Sequence, residues 1–176
     1  MDHRLRIEHA QIITENDLKR FSDLNIIPAM QPTHCTSDKD MIIDRIGKER
    51  SEYSYAWRSF LDLGLIIPCG SDFPVESVNP FLGIYASVSR KLPLEDEDKV
   101  FNSEQSMTIE EAIKGFTIWA AYGAFQEDIL GSIEPGKHAD FTIIDRDICT
   151  INQEEIPGTK VVYTIMGGEI KYSKVN

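Results

Sequence analysis

The chain has 176 residues and a hydrophobic content of 41%, which suffices for a packed core in one domain or in one and a half small ones. Its net charge of −11 argues against nucleic acid and anionic membranes as partners, because both require basic patches. The three cysteines are too few and too far apart for a disulfide framework, and no apolar run approaches the length of a membrane span. We therefore expect a soluble, cytoplasmic protein.

The first two-thirds of the chain alternates predicted strands with predicted helices. Short apolar runs predict strands at residues 4–9, 26–30 and 65–69. Apolar stripes with helix start and stop signals predict helices at residues 15–24, 40–47, 53–63 and 81–90. A capping box of Thr108 and Glu111 predicts a further helix, from Ile109 to about Phe125 and buried on several sides. Residues 31–38 and 91–106 are expected to be loops, with the acidic run at 95–98 solvated.

The last quarter of the chain has the pattern of an antiparallel sheet. A short strand and a turn are expected at residues 131–137, and a strand at 139–145. Two β-rich runs, at 161–166 and 169–172, flank Gly167-Gly168, which is a strong hairpin signal.

Alternation of strands and helices indicates parallel pairing with right-handed crossovers. Two architectures fit: an open doubly wound sheet, or part of an eight-stranded (β/α)8 barrel. No glycine-rich phosphate loop follows any predicted strand, which weakens a nucleotide-binding interpretation. A closed barrel needs about 250 residues, and only three strand–helix units are present.

Each of the three predicted strands ends in a polar side chain, namely His9, His34 and Asp72. Imidazole and carboxylate groups are common ligands of zinc, and a catalytic zinc site leaves one position open for water. A carboxylate beside such an ion can accept a proton and return it to a leaving group. Taken singly, a histidine after a strand is more often a structural hydrogen-bonding group, and an aspartate in such a turn is more often a turn former.

Other polar groups offer weaker alternatives. His34 and Cys35 could form a metal pair or a cysteine nucleophile with its base, although adjacent residues rarely bind one ion. Cys69 is expected to be a small core residue, and His138 to be exposed and inert. The absence of a Gly-x-Ser-x-Gly motif argues against a serine hydrolase.

Three motifs closely resemble successive motifs of the amidohydrolase superfamily. They are residues 6–11 (Arg-Ile-Glu-His-Ala-Gln), 30–34 (Met-Gln-Pro-Thr-His) and 70–76 (Gly-Ser-Asp-Phe-Pro-Val-Glu). The most similar branch is the one called amidohydrolase 3, or YtcJ-like. In the tail, Gly131, Ile133, Gly136-Lys137 and Ala139-Asp140-Phe141 resemble the family's return into its small β-sandwich. The resemblance covers nearly the whole chain in the right order.

The resemblance implies the last three βα units of a (β/α)8 TIM-like barrel in residues 1–128, and strands of a composite β-sandwich in residues 129–176. It implies that His9 ends the sixth barrel strand and binds a divalent metal ion, for which zinc is the expected identity. It implies that Asp72, after the eighth strand, is both a metal ligand and the catalytic proton shuttle, and that His34, after the seventh, contacts substrate. The implied reaction is hydrolysis of a non-peptide C–N bond, such as an amide or an N-formyl group.

Several of the family's ligands have no counterpart here. Its His-x-His of the first strand, its bridging lysine or acid, and its fifth-strand histidine are missing. Because a zinc site usually has three protein ligands plus water, we expect the chain alone to hold no stoichiometric metal and to lack hydrolase activity. The chain resembles the C-terminal part of a longer enzyme. Its open strand edges predict self-association, or pairing with the missing N-terminal part.

Two rival interpretations remain at this stage. The chain could be a naturally short, non-catalytic module that binds a small ligand or a partner, which a mass of 20.0 kDa in the source cell would support. It could also be an unrelated open-sheet hydrolase that uses Asp72 and His34 without metal.

Overall fold

The structure is a computed structural model that describes residues 2–96 and 99–174. Its helices and strands follow one another along the chain as β1 (Arg6–Ile7), α1 (Glu15–Asp23), β2 (Ile27–Pro28), α2 (Pro32–Ile46), α3 (Lys48–Ser51), α4 (Trp57–Asp62), α5 (Pro80–Ser89), α6 (Ile109–Gly115), α7 (Ile118–Gly123), β3 (Phe141–Ile144), β4 (Val161–Met166) and β5 (Glu169–Ser173). Short 3-10 helices lie at Ser103–Gln105 and Gln153–Gly158. Within the described ranges, no helix combines the length and the apolar character needed to cross a membrane.

The front of the molecule is an α/β arrangement in which three chain segments run side by side in the same direction. Strand β1 pairs with β2 in parallel, with Arg6 opposite Ile27. The third segment joins through a parallel bridge between Met30 and Cys69, where the Met30 amide donates to the Pro68 carbonyl at 2.9 Å. The carboxyl ends of all three segments therefore meet at one edge.

The three strands are shorter than the sequence predicted, and the prediction of a regular strand at 65–69 is wrong. Pro28 and Pro68 lie inside the paired segments and have no amide hydrogen to donate to a neighbour. The amide of Cys69 donates instead to the Gly115 carbonyl of α6, at 2.9 Å. In the described residues, the other edge of β1 pairs with no strand, and the Ile7 side chain is 45% exposed.

Helix α2 begins at Pro32, so the predicted loop at 31–38 is wrong. Proline at the first helical turn is a common helix start, because its missing N–H would have no partner there anyway. The buried face of α2 carries Cys35, Lys39 and Ile42 at helical spacing. Because the charged Lys39 interrupts this buried face, the sequence shows no continuous apolar stripe there and did not predict the helix. The Lys39 ammonium pairs with the Glu95 carboxylate and donates to the Lys99 carbonyl at 3.0 Å.

Two other helices also differ from their predicted spans. Helix α4 starts at Trp57 rather than at residue 53, because Tyr55 has a left-handed φ of 52° that no helix continues. The helix expected from Ile109 to Phe125 divides into α6 and α7, with Thr117 at φ −130° and ψ −99° between them. The Thr108 capping box at its start is confirmed. Thr14 caps α1, with its hydroxyl accepting a hydrogen bond from the Asp17 amide.

The tail forms an antiparallel sheet in the order β3-β4-β5. The hairpin predicted around Gly167-Gly168 is confirmed, and both glycines have positive φ (58° and 81°), as a two-residue hairpin turn requires. The strand expected at 131–134 is not formed, and Ile133 there is 82% exposed.

One hydrophobic cluster joins the front and the tail. Ile148 and Ile156 of the tail are buried in the same cluster as Trp57 and Phe60. Tyr85 of α5 donates a hydrogen bond of 2.9 Å to Glu154. The division at residue 128 into two domains stays a prediction, since both parts contribute to this core.

The polar stretch at 91–106 is partly a core element, contrary to expectation. Phe101 and Gln105 are buried, and Phe101 belongs to the hydrophobic cluster. In the acidic run, Glu95 binds Lys39 and is therefore not simply solvated. Glu97 and Asp98 lie outside the described residues.

Candidate metal centre

The three polar side chains that follow the parallel segments converge. One potential ligand atom each from His9, His34 and Asp72 forms a set whose members all lie within 4.8 Å of one another. The His34 Nε2 atom is 3.9 Å from Asp72 Oδ2, and the imidazole rings of His9 and His34 stack with centroids 5.7 Å apart. The convergence follows from the topology, because parallel segments bring their carboxyl ends to the same edge.

His9 and Asp72 lie on tight turns immediately after their segments. Both residues have left-handed backbone conformations, with φ of 67° and 56°. Such conformations cost free energy in residues other than glycine, and they occur often at functional sites. The Asp72 carbonyl accepts a hydrogen bond of 2.8 Å from the Val75 amide, which closes the second turn.

His34 is placed by a helix rather than by a turn. It lies in the first turn of α2 and is 7% exposed, whereas the Asp72 side chain is 41% exposed. The site is therefore a buried imidazole and a half-buried one facing a carboxylate that solvent or a ligand can reach.

Two nitrogen atoms at this site are buried and unsatisfied. Within the described part of the chain, neither His9 Nδ1 nor His34 Nε2 has a hydrogen-bond partner. The 3.9 Å separation from Asp72 is too long for a hydrogen bond. Buried polar atoms normally have hydrogen-bond partners. Two unpaired imidazole nitrogens beside a carboxylate therefore suit the binding of a cation. These donors fit a zinc-like divalent metal.

A hydrogen-bonded network behind the site connects the His9 turn to α2. The Asp38 carboxylate accepts from Gln11 Nε2 at 3.1 Å and from the buried Tyr55 hydroxyl at 3.0 Å. Burial, together with the Asp38 charge, raises the pKa of Tyr55, so its hydroxyl keeps its proton and donates. Sequence reasoning missed Asp38 and Tyr55; the available signal was the spacing of Asp38, four residues after His34 and one helical turn away.

A second contact connects α2 to the Asp72 loop. The Ser37 hydroxyl donates a hydrogen bond of 2.6 Å to Glu76 Oε1. The network and this contact together tie all three site-bearing segments to α2.

The structure does not favour Cys35 as a nucleophile. The thiol is completely buried, and burial raises its pKa to about 11. At neutral pH it is therefore a protonated core side chain. Burial also raises the pKa of Cys69 to about 12, and its side chain packs partly buried against the core as predicted. His138 is exposed in the tail and is not among the clustered residues.

The sequence as a whole matches known proteins. The sequence profile of the amidohydrolase family matches residues 1–172. The chain belongs to the amidohydrolase family. Among curated members, the putative amidohydrolase YtcJ of Bacillus subtilis is 32% identical over 169 residues, covering 96% of this chain and 32% of that protein. The N-substituted formamide deformylase of Arthrobacter pascens is 28% identical over 178 residues, covering 98% of this chain and 32% of that protein.

A solved structure is also similar to this chain. The crystal structure of an uncharacterized metal-dependent hydrolase from Pyrococcus horikoshii matches with a TM-score of 0.74 and 28% identity, covering 84% of this chain and 30% of that one. The chain thus spans about a third of the length of the curated relatives it matches.

Proposed function

We propose that this chain is the C-terminal part of a metal-dependent amidohydrolase that hydrolyses a non-peptide C–N bond. The observation that carries the proposal is the convergence of His9, His34 and Asp72 at one edge of the parallel segments. Family membership and metal-dependent relatives support it. In this proposal residues 1–128 supply the last three units of a (β/α)8 barrel, and residues 129–176 supply strands of a β-sandwich.

In the proposed mechanism, His9 and Asp72 hold a divalent ion, for which zinc suits the donors. When bound, the ion supplies Lewis acidity for the attack of water on a carbonyl. An oxygen of the Asp72 carboxylate accepts a proton from the attacking water and returns it to the departing amine nitrogen. The Asp72 side chain is 41% exposed, which is consistent with its reaching both the attacking water and the departing amine. His34, buried beside it, orients the substrate carbonyl by hydrogen bonding.

The proposed substrate class is a small amide or N-formyl compound. Support comes from the deformylase relative, whose name specifies N-substituted formamides. The half-exposed carboxylate and the buried imidazole would face the carbonyl from two sides.

Activity in this proposal needs the sequence that the relatives have beyond this chain. The unpaired edge of β1 and a neighbouring apolar groove support this requirement. Ile7, Ile12 and Leu24 line the groove and are 45%, 52% and 55% exposed. We propose that the remaining barrel segments cover this face, and that the chain alone self-associates through it. A monodisperse monomer in light scattering would contradict the second statement.

The test is Asp72→Asn in the protein isolated from its own source, with Asp128→Asn as an exposed control. Turnover of N-benzylformamide and metal per chain are measured together. Loss of a proton-transfer group is expected to lower kcat by about 10²–10⁴-fold, while the control remains unchanged. Unchanged turnover in Asp72→Asn would refute the proposal. Lost turnover in a source protein that contains no metal would instead favour a metal-free hydrolase.

A further inference from the structure

His34 was assigned above to substrate, but its geometry matches that of a ligand. Its Nε2 atom is buried and has no hydrogen-bond partner in the described residues. It is directed to the same space as the Asp72 carboxylate, at 3.9 Å. A substrate-contacting imidazole has no need to lie this close to the proton-transferring carboxylate without bonding to it.

The distances are compatible with a shared ion. Two atoms bound to one zinc ion at about 2.1 Å can lie at most about 4.2 Å apart. The His34–Asp72 separation of 3.9 Å already satisfies this limit. The complete set lies within 4.8 Å, so closure by about 1 Å through side-chain rotation brings all three atoms to ligand distance.

The two rings have the geometry of neighbouring ligands. The imidazole planes of His9 and His34 are nearly parallel, at 11°. Their centroid separation of 5.7 Å lies within the range of offset-stacked rings. Stacking does not satisfy ring nitrogens, however, and His9 Nδ1 and His34 Nε2 remain unpaired beside the carboxylate.

We propose that His9, His34 and Asp72 form a three-ligand site that binds one divalent transition-metal ion in this chain by itself. The inference rests on the proposed function, whose metal it shares, but it changes the role of His34. Three protein ligands with one position open for water make a sufficient zinc site. The sequence led us to expect no stoichiometric metal in the chain alone, because only His9 and Asp72 were taken as ligands. With His34 as a third ligand, we revise that expectation.

The positioning of His34 supports the role. Its ring is carried by the first turn of α2, where Asp38 is anchored to Gln11 and Tyr55. Ser37 is hydrogen-bonded to the Glu76 carboxylate of the Asp72 loop. A ligand carried by a helix with its neighbours bonded on both sides loses little freedom on binding an ion, which favours affinity.

The experiment titrates the metal-free 176-residue chain with Co²⁺ and follows the visible absorption of the ion, which reports ligand number. We expect one ion per chain with the strong bands of a low-coordinate site. Loss of a group behind a ligand costs about 10–100-fold in metal affinity, so His34→Ala is expected to weaken binding at least about 100-fold. The control His138→Ala, an exposed histidine in the tail, is expected to change nothing.

A measurement on the unaltered chain makes the test independent of whether a variant folds. Paramagnetic shifts on Co²⁺ binding are expected on the rings of both His9 and His34 in NMR spectra. Shifts on His9 alone would overturn the inference, as would binding that His34→Ala leaves unaffected. If His9→Ala and Asp72→Asn weaken Co²⁺ binding and His34→Ala does not, the inference fails while the proposed function stands. Failure of the unaltered chain to bind Co²⁺ also overturns the inference, but not a site completed by further ligands in a longer protein.

Discussion

The site-bearing front and the antiparallel tail are built by different rules. The front brings together segments that are far apart in sequence, as when Met30 bridges Cys69 and Cys69 donates to Gly115. The tail pairs β4 with β5 across the two-residue turn at Gly167-Gly168. The β4–β5 hairpin is thus a local structure, whereas the contacts that build the site join distant parts of the chain.

The front and the tail sheet also differ in how deeply their side chains are buried, and therefore in how much each side chain contributes to stability. In the tail sheet, β3 and β4 are at most partly buried, and every residue of β5 is exposed. The front contains the fully buried side chains of Trp57, Phe60 and Arg90. Substitutions in the front should therefore affect both stability and metal binding, whereas substitutions at the exposed positions of the tail sheet should have small, local effects.

The largest effect is expected from Arg90→Met. The Arg90 guanidinium is fully buried, donates to the carbonyls of Phe101 (2.5 Å) and Tyr55 (3.0 Å), and lies 4.3 Å from the Trp57 ring. Methionine fills the space but leaves the buried Phe101 carbonyl without the guanidinium donor, at a cost of about 1–3 kcal/mol in the free energy of unfolding. Urea denaturation measures it, with the exposed Arg20→Met as control. A decrease of less than about 1 kcal/mol in the free energy of unfolding would mean that the buried guanidinium contributes little to the stability of the front.

The next effect is expected from Gly115→Ala, which separates packing in the front from packing in the tail. A Cβ at Gly115 would lie 2.7 Å from Cys69 Sγ and 3.0 Å from the Ile67 carbonyl. Overpacking should outweigh the gain in helix propensity and cost about 1–2 kcal/mol in unfolding free energy. Because it displaces the segment that carries Asp72, it should also weaken Co²⁺ binding. In the tail, Gly158→Ala meets no atom nearer than 3.8 Å and should change neither quantity.

A smaller and purely local effect is expected from Gly168→Ala. Its φ is 81°, and an added Cβ would meet only the Ala139 Cβ atom, at an unstrained 4.0 Å, so the penalty is backbone strain, about 1 kcal/mol. Gly167→Asn is the matched control, because asparagine is favoured at this turn position. Thermal unfolding measures both variants. A change in Co²⁺ affinity in either one would contradict the separation between tail and site.

The smallest effect concerns the pH dependence of stability. The hydrogen bonds from Arg58 to Glu111, at 2.5 and 3.0 Å, lower the pKa of that carboxyl. A folded-state pKa below the unfolded one stabilises the protein above the unfolded pKa, and the contribution disappears as pH falls through the folded pKa. Arg58→Met should therefore reduce the loss of unfolding free energy between neutral and acidic pH, by less than about 1 kcal/mol because the pair is partly exposed.

The tail again provides the comparison for this pH effect. Lys171 and Glu169 form an ion pair at 2.5 Å whose side chains are 50% and 75% exposed. Lys171→Met should leave the pH profile of stability unchanged. Equal changes in the two variants would show that burial does not distinguish the two pairs.

Much of the local structure could be predicted because its cause is local. The Thr108–Glu111 capping box and the Gly167-Gly168 hairpin each need only residues a few positions apart, and both are confirmed. The start of α2 could not be predicted in this way. Lys39 occupies its buried face only because Glu95 and the Lys99 carbonyl, far along the chain, neutralise and bind its ammonium.

The candidate site likewise has features that local sequence predicts and features that only the tertiary structure shows. The sequence by itself determined that His9, His34 and Asp72 each follow an apolar segment, because apolar runs and turn residues are read locally. Only the tertiary structure decided that they meet within 4.8 Å, and that a helix directs His34 at Asp72. The physical reason is that parallel pairing is set by hydrogen bonds between segments separated by some 20 to 40 residues, such as Met30 to Pro68, and no local signal encodes that distance.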